Sequence, residues 1–122
     1  MKMRSLIIAN VIIQVLFGLG FMFAPALILG IFGTHTDATG TTLAHVAGGV
    51  ILSLAIIGWF GKDVAPGAMQ DALVWGFTFA HLQAGILTAI TILNGTFNAL
   101  AWPVVLMDAF FTVAFPWVRG RK

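Results

Sequence analysis

The chain has 122 residues, of which 60% are hydrophobic and 8% are charged, with a mean hydropathy of +1.03. Ordinary soluble domains are about 45–50% apolar and about 25% charged, so this composition excludes a soluble fold and predicts an integral membrane protein. The lack of cysteine excludes a disulfide framework and a thiolate metal site. The net charge of +2 comes from basic residues at the ends and in one loop, a distribution that does not indicate a nucleic-acid partner.

Four apolar segments are each close to the ~20 residues that cross a bilayer as a helix. The connections between them are short and rich in glycine, asparagine, threonine and proline, which should make neighbouring helices antiparallel. The sequence therefore predicts an all-α fold, an up-down four-helix transmembrane bundle that forms a single domain over residues 1–122. The predicted helices cover about 5–24, 41–61, 71–93 and 98–118.

Apolar character continues beyond the first predicted span, through Pro25 and into residues 26–32. This stretch is too long for one straight span. Proline lacks a backbone N–H and disfavours a helical residue before it, so the first helix should kink or end at Pro25. We expect residues 26–32 to lie along the outer membrane interface.

The positions of the basic residues predict the topology. If the amino terminus is cytoplasmic, all six basic residues lie on the cytoplasmic side and the two outer loops have none, as the positive-inside rule requires. We therefore expect a multi-pass protein of the cell membrane with both termini in the cytoplasm. The residues are Lys2, Arg4, Lys62, Arg119, Arg121 and Lys122.

Four polar residues, one on each predicted helix, come out at the same depth. Counting about 1.5 Å of rise per residue from the cytoplasmic edge places each about 12–15 Å deep, near the middle of a ~30 Å hydrocarbon core. Each belongs to a small or polar stripe at helical spacing, so we expect all four to face the bundle interior. They are Gln14, Ser53, His81 and Asp108.

Asp108 is the most informative of the four residues about function. Placing an acidic side chain at the bilayer centre costs about 3 kcal/mol of insertion free energy even on the mildest scale, so Asp108 needs a partner. The titratable candidate at its depth is His81, and we expect the two side chains to be in contact. Two interpretations stay open. The contact is a structural hydrogen bond that fixes helix pairing, or it is a pair that binds a ligand or passes a proton.

The pattern Ala-His-x-x-x-Gly occurs twice, at Ala44–Gly49 and Ala80–Gly85. Two histidines, each with a glycine one turn beyond it, are also a pattern that can hold a cofactor. The hypothesis is a bis-histidine haem or a chlorophyll-like pigment held by His45 and His81. Their depths, about 24 Å and about 13 Å, are too different for axial ligands of one haem. We therefore expect no cofactor, and interpret the glycines as positions where helices pack closely. The helix-packing candidates are Gly18, Gly48, Gly49 and Gly85.

In layout the whole chain resembles the DoxX-like group of small four-helix bacterial membrane proteins. The resemblance implies a compact up-down bundle in the bacterial inner membrane whose members act as accessory components. It transfers no functional position to this chain. The features that carry it are a glycine-rich first helix running into Pro25, Gly30-Ile31-Phe32-Gly33, Gly48-Gly49 before Trp59, and Asn98-Ala99-Leu100-Ala101-Trp102.

Three functions from different classes remain. The preferred one is an accessory or interaction subunit, because short loops and small-residue stripes suit docking against another membrane protein or a second copy. The second is a small carrier or channel that uses His81 and Asp108. The third is the haem or pigment protein. The chain offers no paired carboxylates, HExxH motif or Ser/His/Asp arrangement, so we do not expect an enzyme.

Overall fold

The fold was analysed in a computed structural model, which describes residues 1–121. These residues form helices and connecting turns, with no strand among them. Five α-helices and one short 3-10 helix follow one another along the chain. The α-helices are α1 (Met3–Phe23), α2 (Pro25–Ile31), α3 (Ala38–Gly61), α4 (Ala68–Leu93) and α5 (Trp102–Gly120), and the 3-10 turn Ala99–Ala101 leads directly into α5.

Four helical segments are long and apolar enough to cross a membrane, which suggests a multi-pass membrane protein. They coincide with the four predicted segments, and each predicted start and end lies within three residues of the observed one. Length and hydropathy therefore sufficed to locate these helices. The segments are Met3–Phe23, Ala38–Gly61, Ala68–Leu93 and Ala99–Gly120.

Pro25 separates α1 from α2, as the sequence predicts. Ala24 leaves helical geometry with φ −141° and ψ 52°, and Pro25 then occupies the first turn of α2. A proline is tolerated there because the first N–H groups of a helix have no intrahelical acceptor. Most of the 26–32 stretch is thus a second short helix, α2, which ends at Ile31 and leaves Phe32 to turn inward at 9% exposure.

Glycines allow α1 and α3 to approach closely. A Cβ on Gly48 would collide with the backbone nitrogen of Met22 and would lie 2.8 Å from the carbonyl oxygen of Gly18. A Cβ on Gly18 would lie 2.7 Å from Leu52 Cγ. Both residues are therefore close-packing positions, as predicted.

Gly49 is different, and within the described part of the chain it is not a packing position. Within residues 1–121, no atom lies within 4 Å of a Cβ built on Gly49. The glycine of the first Ala-His-x-x-x-Gly motif thus faces open space, whereas its neighbour Gly48 makes the helix contact. Two adjacent helical positions point about 100° apart, so hydropathy alone could not separate them.

The hydrophobic core occupies one part of the helix assembly. It gathers the first turns of α1 and α4 together with the last turns of α3 and α5. The rings of Phe77, Phe111 and Phe115 lie at its centre, each at most 2% exposed. Phe115 contacts both of the others, with centroid separations of 5.4 Å to Phe77 and 5.9 Å to Phe111.

Ion pairs tie the same helix ends together at the edge of this core. Arg4 Nε donates to Asp63 Oδ1 at 2.6 Å, joining the start of α1 to the turn after α3. Arg119 donates through Nε and Nη2 to the two carboxylate oxygens of Asp71, joining α5 to α4. A paired fork of this kind fixes orientation better than a single contact.

Candidate functional site

His81 is held at both ring nitrogens inside the helix assembly. Nδ1 lies 2.7 Å from Asp108 Oδ1 on α5, and Nε2 lies 2.7 Å from Asn10 Oδ1 on α1. The three side chains are almost fully buried, with 0% exposure for Asn10, 6% for His81 and 3% for Asp108. The predicted contact of His81 with Asp108 is therefore present, and it belongs to a three-residue hydrogen-bond chain, Asn10–His81–Asp108.

Three proton arrangements satisfy this geometry. An imidazolium donates to the carboxylate through Nδ1 and to Asn10 Oδ1 through Nε2. A neutral imidazole that donates to the carboxylate through Nδ1 accepts at Nε2 from the Asn10 amide turned by 180°. The other neutral imidazole accepts at Nδ1 from a protonated Asp108 and donates to Asn10 Oδ1 through Nε2. One amide atom of Asn10 stays unpaired in each case, since His81 is the one partner of this amide among the described residues.

Local packing orients the side chains of His81 and Asp108 toward each other. The ring of Phe111 stacks on the imidazole with centroids 4.7 Å apart and an interplanar angle of 19°. A Cβ on Gly85 would lie only 3.0 Å from Asp108 Cβ. The glycine of the second Ala-His-x-x-x-Gly motif therefore gives Asp108 the room it needs to reach the histidine one turn earlier on α4.

A cavity of about 190 Å³ lies beside this chain and is lined by all four long helices. His81 and Asp108 form part of its wall. Apolar side chains dominate the rest, including four phenylalanines. These are Phe17 and Phe21 of α1, Phe32 after α2, and Phe97 before the 3-10 turn.

Two loops close around the far part of the cavity. Phe32 and Phe97 contact each other with ring centroids 5.3 Å apart. Asn98 holds this contact in place, because its backbone N–H donates to the Phe32 carbonyl at 2.8 Å and its Nδ2 donates to the Ile31 carbonyl at 3.1 Å. The two loops are thus joined by both rings and hydrogen bonds.

Gln14 is buried inside the helix assembly, as the depth argument predicts, and it forms part of the cavity wall. Its side chain is buried, at 6% exposure, and in the described part of the chain Oε1 has no hydrogen-bond partner. A buried acceptor without a donor costs about 1–3 kcal/mol. A 180° turn of the Gln14 amide toward the cavity would let a ligand supply the missing bond.

Ser53 does not join this group, and here the prediction is wrong. Its side chain is exposed, and Oγ donates to the Gly49 carbonyl of its own helix at 2.9 Å. The depth estimate for α3 did not fix the direction in which Ser53 points. Serine can also satisfy its hydroxyl on the preceding turn, so it needs no partner on another helix.

The histidine pair does not fit an axial pair for haem. Both nitrogens of His81 are engaged, which leaves no free lone pair for iron. His45 is exposed, and its Nδ1 donates to the Met22 carbonyl. That carbonyl belongs to the last turn of α1, where carbonyl groups lack intrahelical donors, so His45 caps a helix end.

Asn10 and the phenylalanines are site residues that the sequence did not single out. A signal for Asn10 was present, because it lies one turn before Gln14 on the same polar stripe of α1. The phenylalanines gave no comparable signal, since aromatic residues are common throughout apolar helices. Two of them, Phe32 and Phe97, lie in loops, where helical periodicity gives no direction.

Comparison with known proteins adds no assignment. No protein-family model, curated protein or solved structure matches the chain. The DoxX-like resemblance therefore stays a prediction from layout.

Proposed function

We propose that this chain is a membrane-embedded carrier or receptor that binds a small, mostly apolar molecule in the cavity between its helices. The observation that carries the proposal is the cavity itself, about 190 Å³ in volume. Its wall contains the His81–Asp108 pair and Gln14, whose Oε1 has no hydrogen-bond partner within residues 1–121. Binding pockets combine an apolar lining with a few convergent polar groups in this way.

An open channel is less well supported than a binding site. His81 stacks on Phe111, which packs on Phe115, which in turn contacts Phe77. These buried rings close the cavity on its core side, so a ligand or proton would need a conformational change to pass. A binding protein or an alternating carrier fits this arrangement better than a continuous pore.

A space-filling substitution in the cavity tests the proposal. Ala84 lines the cavity, so Ala84→Phe should occupy the volume and remove binding. The probe is 4-fluorotoluene, followed by ¹⁹F NMR with the protein in detergent micelles. We expect a bound resonance in the wild type that Ala84→Phe abolishes.

The matched control is Ala47→Phe, since Ala47 is an exposed alanine on α3. This variant should keep the bound resonance. Thr88→Leu, which reduces the same cavity from one turn farther along α4, should weaken binding without removing it. A bound resonance that survives Ala84→Phe unchanged would show that the probe binds elsewhere, and the proposal would fail.

The proposal includes the membrane topology. We propose an antiparallel up-down bundle in the bacterial inner membrane with both termini in the cytoplasm, supported by the positive-inside distribution of the six basic residues. The pairs Arg4–Asp63 and Asp71–Arg119 join the helix ends that would then face the cytoplasm. Reporter fusions at Thr36 and after the last residue should report opposite sides, with the C-terminus inside.

The accessory-subunit hypothesis stands as the second candidate. It is favoured by the outward-facing surface of α3, where Gly49 and the exposed Ser53 leave a small-residue strip uncovered by the rest of the chain. Strips of this kind let a second transmembrane helix approach closely. Binding in the cavity and docking on α3 use different surfaces, so the two functions are compatible.

A further inference from the structure

We propose that the ligand of this cavity is an aromatic molecule of one or two rings that carries an O–H or N–H donor, as in the phenol class. The inference rests on the proposed function, because it assigns a chemical class to the same cavity. It is carried by the cavity size, by the rings that line it, and by the Gln14 acceptor that has no partner in the described part of the chain.

The size of the cavity sets the size of the ligand. An engineered cavity of about 150 Å³ in another protein takes up benzene. The volume of about 190 Å³ here is slightly larger, so it suits a substituted benzene or a compact bicyclic molecule.

The shape of the lining favours a flat ring. Phe17, Phe21, Phe32 and Phe97 line the cavity. Phe32 and Phe97 already contact each other at 5.3 Å. Aromatic rings gain from offset-stacked and edge-to-face contacts with a further ring, beyond the area they bury. Aliphatic molecules of equal volume lack these contacts.

The polar groups in the cavity wall favour a ligand that carries a hydrogen-bond donor. Gln14 Oε1 has no partner among the described residues, and a 180° turn of the amide can bring this acceptor to the cavity. Asp108 also lines the cavity and is an acceptor when ionised, but it already accepts from His81. A ligand hydroxyl should therefore donate to Gln14. A ligand whose oxygen is only an acceptor gains no bond from Asp108 and places its lone pairs against a carboxylate, which is unfavourable.

Three fluorinated probes with the same ring separate these chemistries. The donor is 4-fluorophenol, 4-fluoroanisole keeps the oxygen without the donor, and 4-fluorotoluene has neither. Dissociation constants come from ¹⁹F NMR, with Ala84→Phe protein defining the micelle background. We expect 4-fluorophenol to bind about tenfold more tightly than the other two, the factor that one net hydrogen bond gives.

Substitutions at Gln14 assign the donor preference to the wall. Gln14→Met has a side chain of similar length without the amide oxygen as acceptor. In this variant the affinity for 4-fluorophenol should fall about tenfold, while the affinity for 4-fluorotoluene should change less than twofold. Retained 4-fluorotoluene binding shows that the variant is folded, and Gln14→Leu provides a second variant. The matched control is Gln83→Leu, because Gln83 is exposed on α4. It should leave the affinities of all three probes unchanged.

The ring requirement is tested by competition with cyclohexanol, which has the donor without the aromatic ring. We expect it to displace 4-fluorophenol at least tenfold less well than phenol does. Equal affinity for the three probes, equal competition by cyclohexanol, or equal weakening of all probes by Gln14→Met would overturn the ligand class while leaving a binding cavity. If none of the probes gives a bound resonance that Ala84→Phe removes, the proposed function fails as well.

Discussion

At the scale of single residues, the central feature is a buried carboxyl group that is stabilised by its hydrogen-bond partners. Asp108 is 3% exposed in a chain of which 60% of the residues are hydrophobic. A buried ionisable group requires a hydrogen-bonding or charged partner. His81 supplies it, and Asn10 extends the chain of hydrogen bonds to α1. Three helices are thereby joined through one imidazole.

This arrangement predicts different consequences for two substitutions of Asp108. In Asp108→Asn the side-chain oxygen still accepts from His81, so the free energy of unfolding should stay within about 1 kcal/mol of the wild type. In Asp108→Leu the buried imidazole loses its partner on α5, at a cost of about 1–3 kcal/mol. Thermal unfolding in detergent measures both values.

A triple variant provides the control for this prediction. Replacing all three side chains of the hydrogen-bond chain with apolar ones, as in Asn10→Leu with His81→Phe and Asp108→Leu, should recover part of the loss, because no polar group of the chain is then left unpaired. If Asp108→Leu were as stable as Asp108→Asn, the contact would contribute nothing to the fold. The interpretation of Asp108 and His81 as a stabilising pair would then be wrong.

Prediction of single residues from the sequence succeeded where the depth in the membrane and the free-energy cost of burying a polar group determined the position. The contact of Asp108 with His81 followed from the depth of the two groups, and the same count predicted the interior position of Gln14. Ser53 failed because a serine satisfies its hydroxyl on its own helix. Asn10 was overlooked because it lies one turn nearer the helix start than the depth count required.

At the scale of helices, lengths and ends follow from the sequence, whereas the direction each face points does not. The four spans were located by hydropathy, and the break at Pro25 follows from the missing N–H of proline. Nearly every face of these helices is apolar, so periodicity is a weak guide to the inward face. Gly48 and Gly49 illustrate the consequence, since one packs against α1 and the other faces open space.

These adjacent glycines form a matched pair for mutation. In Gly48→Ala the added methyl group meets the α1 backbone, which cannot rotate away, so α1 and α3 must separate at a cost of about 1–3 kcal/mol. In Gly49→Ala the methyl group enters open space, and the better helix propensity of alanine should stabilise the protein by zero to about 1 kcal/mol. Unfolding of both variants in detergent gives the comparison.

The comparison tests whether Gly48→Ala lowers the free energy of unfolding more than Gly49→Ala does. Equal destabilisation by both substitutions would indicate that the surface of α3 around Gly49 is covered, as in a dimer or a complex. A neutral Gly48→Ala would contradict the close approach of α1 and α3.

At the scale of the whole molecule, the chain is well packed in one part and hollow in another. The first turns of α1 and α4 and the last turns of α3 and α5 share a dense core. The cavity lies beyond it, between the polar chain and the loops that carry Phe32 and Phe97. Composition predicted the all-helical class, but the cavity depends on how loop residues fold inward, which no sequence periodicity describes.

The central claim is that a small molecule occupies this cavity, and one methionine reports on it directly. Among the five methionines of the chain, Met107 lines the cavity, whereas Met22 and Met69 are exposed at 38% and 64%. With ¹³C-labelled methionine methyl groups, bound 4-fluorophenol can be located by its nuclear Overhauser effects to each methyl group.

We expect cross-peaks between the bound probe and the Met107 methyl group, and we expect Ala84→Phe to abolish them. Cross-peaks to Met22 and Met69 should be no stronger than those produced by probe dissolved in the micelle. Strong contacts to these two exposed methyl groups with none to Met107 would contradict the account, because the probe would then lie on the outer surface of the helices.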